Sequence, residues 1–313
     1  MIPDLPYRPD RDIPLGVPGF RYADLYRSER LADLLAAFDR ELAEADGELA
    51  KAYLAHRSSP EALPKIQASD LLIKVGPHVA RFAARLFGAP ANSPERAVEI
   101  EALSILKKKI VQAAEKRFKD TDPATMDAEA LDRQRRNLLD KEGIEAGDEE
   151  LRTALLAKRL LDRNEGGELE AWAYAFSRLP RAKAWVSFRK PRTLDFEGGL
   201  VALVHPRPDL PQMVEGPAHH RRRRDGFVLT DPRMNSAETA AEVDYCILCH
   251  PRGKDSCSTG LWNKDATVKK NPLGIALSGC PLEEKISEAH TLEGQGETLA
   301  ALAMILIDNP MCP

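Results

Sequence analysis

All five cysteines of this 313-residue chain fall between Cys246 and Cys312. Four of them, Cys246, Cys249, Cys257 and Cys280, follow the order C-x2-C-x7-C-x22-C, and the fifth stands in Cys312-Pro313. The long stretch before Cys246 contains none, which chance would not arrange. Thiolates gathered in this way suit a soft metal centre. Three chemistries compete for them. Cys246-Ile247-Leu248-Cys249-His250 fits the C-x-x-C-H pattern of c-type haem, with His250 as proximal ligand, but haem gives Cys257 and Cys280 no role. Four thiolates can also hold a structural zinc tetrahedrally, although zinc sites usually pair two short hooks and only the first is short here. An iron–sulfur cluster takes cysteines from a loop-rich wrap, with proline redirecting the chain after one of them. Spacing alone leaves zinc and cluster close.

Composition narrows the class. Hydrophobic residues make up 43% and charged residues 30%, as in a globular protein. Aromatic residues are only 6%, which favours helices packed through Leu and Ala over a β-sandwich. A net charge of -4 argues against general affinity for nucleic acid or anionic membrane. The opening Met1-Ile2-Pro3-Asp4-Leu5-Pro6 has no basic and apolar signal pattern, and the apolar run Leu299 to Ile307 is too short to span a bilayer. A cytoplasmic location is the expectation, and clustered cysteines there mean metal or redox chemistry more than disulfides.

The chain divides on pattern into a helical region over 1–190, a Pro/Arg-rich connector over 191–235 and a cysteine module over 236–313. From Ser28, Leu31, Leu34, Leu35, Phe38, Leu42 and Leu49 recur at helical spacing, with an end near Ser58-Ser59-Pro60. A second helix carries Leu71, Leu72, Val75, Val79, Phe82 and Leu86; Pro77 should kink or break it, and Gly88 with Pro90 should stop it. Ser93-Pro94 is an N-cap followed by proline at the first helical position. Further helices follow over 128–141, from Asp148 and from Glu168. No catalytic constellation stands out in them. His56 and His78 are isolated, and Glu41, Glu44 and Asp46 read as solvated helix surface. In the connector, residues 198–204 suit a short extended piece. His219-His220 precede Arg221 to Arg224, which reads as a solvated basic patch or an anion clamp.

The words around the cysteines carry a resemblance. Cys280-Pro281-Leu282 leads into a helix, a second helix follows, and the chain reaches Asp308-Asn309-Pro310-Met311-Cys312-Pro313. With Lys254-Asp255-Ser256-Cys257 and the C-x-x-C-H ahead of it, this resembles the N-terminal iron–sulfur region of FAD-dependent pyridine nucleotide-disulfide oxidoreductases, of the glutamate synthase small subunit and dihydropyrimidine dehydrogenase type. The resemblance covers about the last seventy residues. It implies a mainly α fold, a helical bundle followed by an α-helical ferredoxin-like module. It implies that Cys246, Cys249, Cys257 and Cys280 ligate one [4Fe-4S] cluster and that Cys312 begins a second set. His250 would donate to a cluster sulfur, and Trp262 would pack over the cluster. The function implied is that of an electron-transfer segment at the N-terminus of an NAD(P)H-dependent flavin oxidoreductase. FAD and NAD(P)H would sit on downstream domains of the same polypeptide, which would be the chief partners, with a second subunit or homo-oligomer beside them. The chain departs from the family in its wider cysteine spacing and in having no G-x-G-x-x-G after a strand. The competing reading is a non-enzymatic helical adaptor with a structural zinc.

Overall fold

The computed structural model describes residues 12–90, 93–145, 147–190, 194–196, 203–218, 234–309 and 311. Cys312, His219, His220 and the run Arg221 to Arg224 lie outside the described residues, as does most of the extended piece expected over 198–204.

The chain enters through α1 (Ser28–Ala45) and α2 (Gly47–Ser58). The sequence pattern reads as one helix here, but Asp46 interrupts it with extended backbone and accepts a hydrogen bond from Leu49 N at 2.9 Å, capping a new helix. The longest helix, α3 (Lys65–Phe87), runs unbroken through Pro77. Both of its faces are buried, and that packing overrides the local cost of proline. It stops where Gly88 adopts φ 64°, the left-handed conformation that glycine enters without steric cost.

One face of α3 closes a core with the first two helices. Leu71, Val75, Phe82 and Leu86 meet Phe38, Leu42 and Ala50 there. The other face meets two helices from the far end of the chain, α11 (Ile286–Gly294) and α12 (Thr298–Asp308), which are numbered after the helices between. Leu72 and Ala80 pack with Leu292, Ala300 and Met304, the last three almost wholly buried. Gly76 permits the close approach: a β-carbon on it would lie 3.3 Å from Ala300 Cβ and 3.4 Å from Leu292 Cδ1.

Between these ends lies the main body. It comprises α4 (Pro94–Ile105), a π-helical turn Leu106–Val111, α5 (Gln112–Arg117), α6 (Ala128–Lys141), α7 (Glu149–Asp162), α8 (Gly167–Phe176) and α9 (Ser236–Tyr245). Ser93 Oγ caps α4, as Ser93-Pro94 predicts. Ile100, Leu103, Leu106, Ile110, Leu156, Leu160, Leu169 and Trp172 fill the core of this body. At its centre Arg135 bonds Asp132 Oδ1 at 2.9 Å, Thr153 Oγ1 at 2.8 Å and Glu149. Asp132 also accepts from Arg136 and, at 3.1 Å, from Trp172 Nε1.

The α-helical ferredoxin-like module is corrected. Among the described residues there is no β-strand, only isolated bridges such as Trp262 with Val268 and Lys270 with Ala276. The cysteine segment is a run of short turns, including α10 (Ser256–Thr259). The helices after it turn their apolar faces to α3 instead of wrapping the cysteines. No helix among the described residues is long and apolar enough to cross a membrane.

Candidate metal centre

The loop that leaves α9 is shaped by backbone that few residues adopt. Leu248 takes φ 48° and Gly253 φ 67°, and the turn closes through Gly253 N to His250 O at 2.8 Å and Lys254 N to Cys249 O at 3.2 Å. This turn brings His250 and Asp255 back to one another. His250 N donates to Ser287 Oγ at 3.2 Å, which pins the loop to the first turn of α11, beside Glu288.

The side chains then converge. His250, Asp255 and Glu288 are 5%, 9% and 1% exposed, and one ligand atom from each lies within 4.8 Å of the others. His250 Nδ1 is 3.2 Å from Asp255 Oδ1 and 3.3 Å from Glu288 Oε1. On the far side of the ring, Nε2 lies 2.8 Å from Asp70 Oδ1 on α3. If Asp70 accepts the Nε2 proton, the Nδ1 lone pair faces two carboxylates, and all three groups are acceptors. Both Glu288 oxygens are buried without a hydrogen-bond partner; the approach of His250 Nδ1 is close enough for an ion pair but makes no hydrogen bond.

Burial works against the His250 imidazolium, but the bond to Asp70 and the charges of Glu288 and Asp255 outweigh it and hold its pKa above the ordinary histidine value. Even an imidazolium leaves three carboxylates facing one cation. A buried carboxylate with no donor is costly, and a divalent ion is the direct remedy. His and carboxylate donors suit zinc, and a histidine whose second nitrogen is held by a carboxylate is the usual way a metal-binding ring is oriented.

The cysteines lie around this group without joining it. Cys246 ends α9 half-buried, Cys249 is buried, Cys257 is exposed on α10, and Cys280 is half-buried; all four are free thiols. Gly260 and Gly279, at φ 87° and 90°, let two backbone segments cross where any β-carbon would clash, and Cys280 N donates to Cys257 O at 2.8 Å. Cys249 Sγ accepts from Ser256 N at 3.4 Å and Cys246 Sγ from Leu248 N at 3.3 Å. Cys249 and Cys257 line one small cavity with Asp255 and Glu288. Loss of hydration raises the Cys257 pKa, and Cys246, Cys249, Glu288 and Asp255 add to the rise. Among the described residues, however, no cysteine belongs to a group of three ligand atoms within 4.8 Å. The expected [4Fe-4S] cluster is therefore corrected: the ligand group found among the described residues is the nitrogen–oxygen set of His250, Asp255 and Glu288. Cys312 lies outside the described residues.

The sequence reading places His250 as a donor to a cluster sulfur or as a haem ligand and gives Asp70, Asp255 and Glu288 no ligating role. Glu288 did carry a signal: it stands four residues before Leu292, on the apolar stripe of its helix, where a carboxylate has no reason to be unless something meets it.

The comparisons point away from the oxidoreductase family. Residues 15–88 match the model of the RP005 N-terminal alpha-helical domain. The uncharacterized protein RP005 of Rickettsia prowazekii is 25% identical over 273 residues, which take in 81% of this chain and 90% of that relative. No solved structure matches. The electron-transfer oxidoreductase reading and the resemblance behind it, with the FAD and NAD(P)H they implied, are corrected on these grounds: the matches fall to an uncharacterized helical family, and no cysteine group of the expected kind is found among the described residues.

Proposed function

We propose that this chain is a helical adaptor whose cysteine-bearing loop is fastened to the helical body by a structural zinc ion. His250 Nδ1, Asp255 and Glu288 supply three ligands, and Asp70 orients the imidazole through Nε2. A thiolate of Cys249 or Cys257, from the same cavity, completes four-coordination; a bound metal deprotonates such a thiol. The observation that carries the reading is the fully buried Glu288 carboxylate, which has no hydrogen-bond donor. The burial of all three ligands suits a closed structural site more than one holding a position open for substrate. The ion would tie the loop between α9 and α10, which carries both His250 and Asp255, to α11, and through Asp70 would couple them to α3.

Metal analysis of protein purified without chelators tests this. About one zinc per chain is expected, from the ligand group found among the described residues. The double variant Glu288→Gln with His250→Ala should lose the metal while keeping its helical circular dichroism. Metal-free protein that gains no thermal stability from added zinc overturns the reading, as does protein that carries iron with acid-labile sulfide in place of zinc.

A further inference from the structure

A second feature lies in the main body. The π-helical turn Leu106–Val111 carries the run Lys107-Lys108-Lys109. A π turn places more residues on one circuit than an α turn does, so successive side chains are re-aimed, and such turns recur at functional sites. Here Lys108 pairs with Asp244, at 2.6 Å, whereas Lys107 lines a separate groove of about 500 Å³.

That groove is strongly cationic. Lys107, Lys116 and Lys119 form one wall and Arg189 and Lys190 the other. Glu115 is the one carboxylate in its lining, and Lys190 already takes it at 2.5 Å. Lys107, Lys116 and Arg189 make no ion pair among the described residues, and Lys116 and Arg189 are exposed. The floor is not polar: Val111 is buried at its base, and the ring of Phe188 is half-buried beside it. From Lys107 to Lys116 the cations extend about 12–14 Å along the helix axis, at about 1.5 Å per residue in α5 and less in the π turn. A single phosphate would meet only one or two of them. An extended chain of four or five residues, at about 3.3 Å each, would meet the whole row.

We infer that the groove between the π-helical turn with α5 and the segment Ser187 to Lys190 binds an extended acidic peptide of a partner protein, its carboxylates on Lys107, Lys116 and Arg189 and an apolar side chain on Phe188 and Val111. Charge complementarity selects the acid, and the apolar floor selects a peptide over a bare polyanion. This deepens the adaptor reading by giving its partner's chemistry, and it stands without the metal.

Fluorescence anisotropy on the full chain tests it. The probe is a labelled peptide alternating Asp or Glu with Leu or Phe. A single-stranded oligonucleotide and inorganic pyrophosphate serve as competitors. The acidic peptide should bind, and its affinity should fall as salt is raised. Lys116→Glu with Arg189→Glu should weaken binding by about tenfold or more without changing the melting temperature, because both side chains are exposed. Arg81→Glu, outside the groove on α3, should leave binding unchanged. Peptide binding unaffected by the groove reversal, absent in the unaltered chain, or weaker than that of the oligonucleotide overturns the proposal. Binding that persists in protein shown to take no zinc would sink the metal reading and leave this one standing.

Discussion

At Asp132, 3% exposed, the carboxylate meets the guanidinium groups of Arg135 and Arg136 and the indole N–H of Trp172; at Glu288, 1% exposed, neither carboxylate oxygen accepts a hydrogen bond. Both clusters bury charge between helices. In the first, each group finds its opposite inside the chain. Burial alone would raise the Asp132 pKa, but the Arg136 bond, the Arg135 charge and the Trp172 donor hold it below the ordinary aspartate range. In the second, Asp70, Asp255 and Glu288 surround one imidazole, and positive charge is short. The difference separates two uses of buried polarity. One cluster is closed and specifies the packing of α6 against α7 and α8. The other is incomplete on its own and is shaped for something the polypeptide does not contain.

Breaking the closed cluster should cost most. Arg135→Ala removes the buried guanidinium that joins Asp132 to Thr153 and Glu149 and leaves Asp132 to Arg136 and Trp172 alone, and urea unfolding should show a loss of about 3 kcal/mol. The same cluster sets an acid limit. Because the folded Asp132 pKa is depressed, its contribution is full above the ordinary aspartate range and is lost as pH falls through the folded value. The unaltered protein should therefore lose more stability on acidification than the Arg135 variant does. Next in size is the response of the incomplete cluster to metal. Zinc at a hundredfold over its dissociation constant should add about 2.7 kcal/mol, and the Arg135 variant should keep that gain if the clusters are independent. Asp70→Asn should weaken zinc binding by about 10–100-fold, measured by calorimetric titration, because the imidazole loses its oriented partner. The smallest effect separates the clusters most sharply: in chelator, Glu288→Gln should change stability by no more than about 1 kcal/mol, or raise it. A large loss there would mean that Glu288 is satisfied by His250 alone.

Much of the helical body is legible in the sequence, because its signals are local. Ser93-Pro94 opens α4, Asp148 caps α7, Gly88 ends α3, and Trp172, Tyr174 and Phe176 mark α8. The break at Asp46-Gly47 was equally local and was outweighed by a continuing leucine period. The site was harder to read for a different reason. Its side chains come from α3, a loop, the cap of α10 and the first turn of α11, and no spacing rule joins positions 70, 250, 255 and 288. Cysteine spacing, which is conspicuous, points to the neighbourhood of the His250, Asp255 and Glu288 group but not to its members. What brings Asp255 and Glu288 to His250 is the way the loop folds back at Leu248 and Gly253 and its docking on α11 through His250 N and Ser287 Oγ.

The two buried faces of α3 carry one further consequence. The stretch matched by the N-terminal family model, residues 15–88, contains the whole of α3 but neither α11 nor α12. Produced by itself, that piece would keep Phe82 and Leu86 dry and leave Leu72, Gly76 and Ala80 as a bare, smooth strip along its longest rod. A second molecule could lie down on such a strip, so the isolated piece should sediment as a dimer or larger species, and a peptide spanning 286–308 should return it to the monomer.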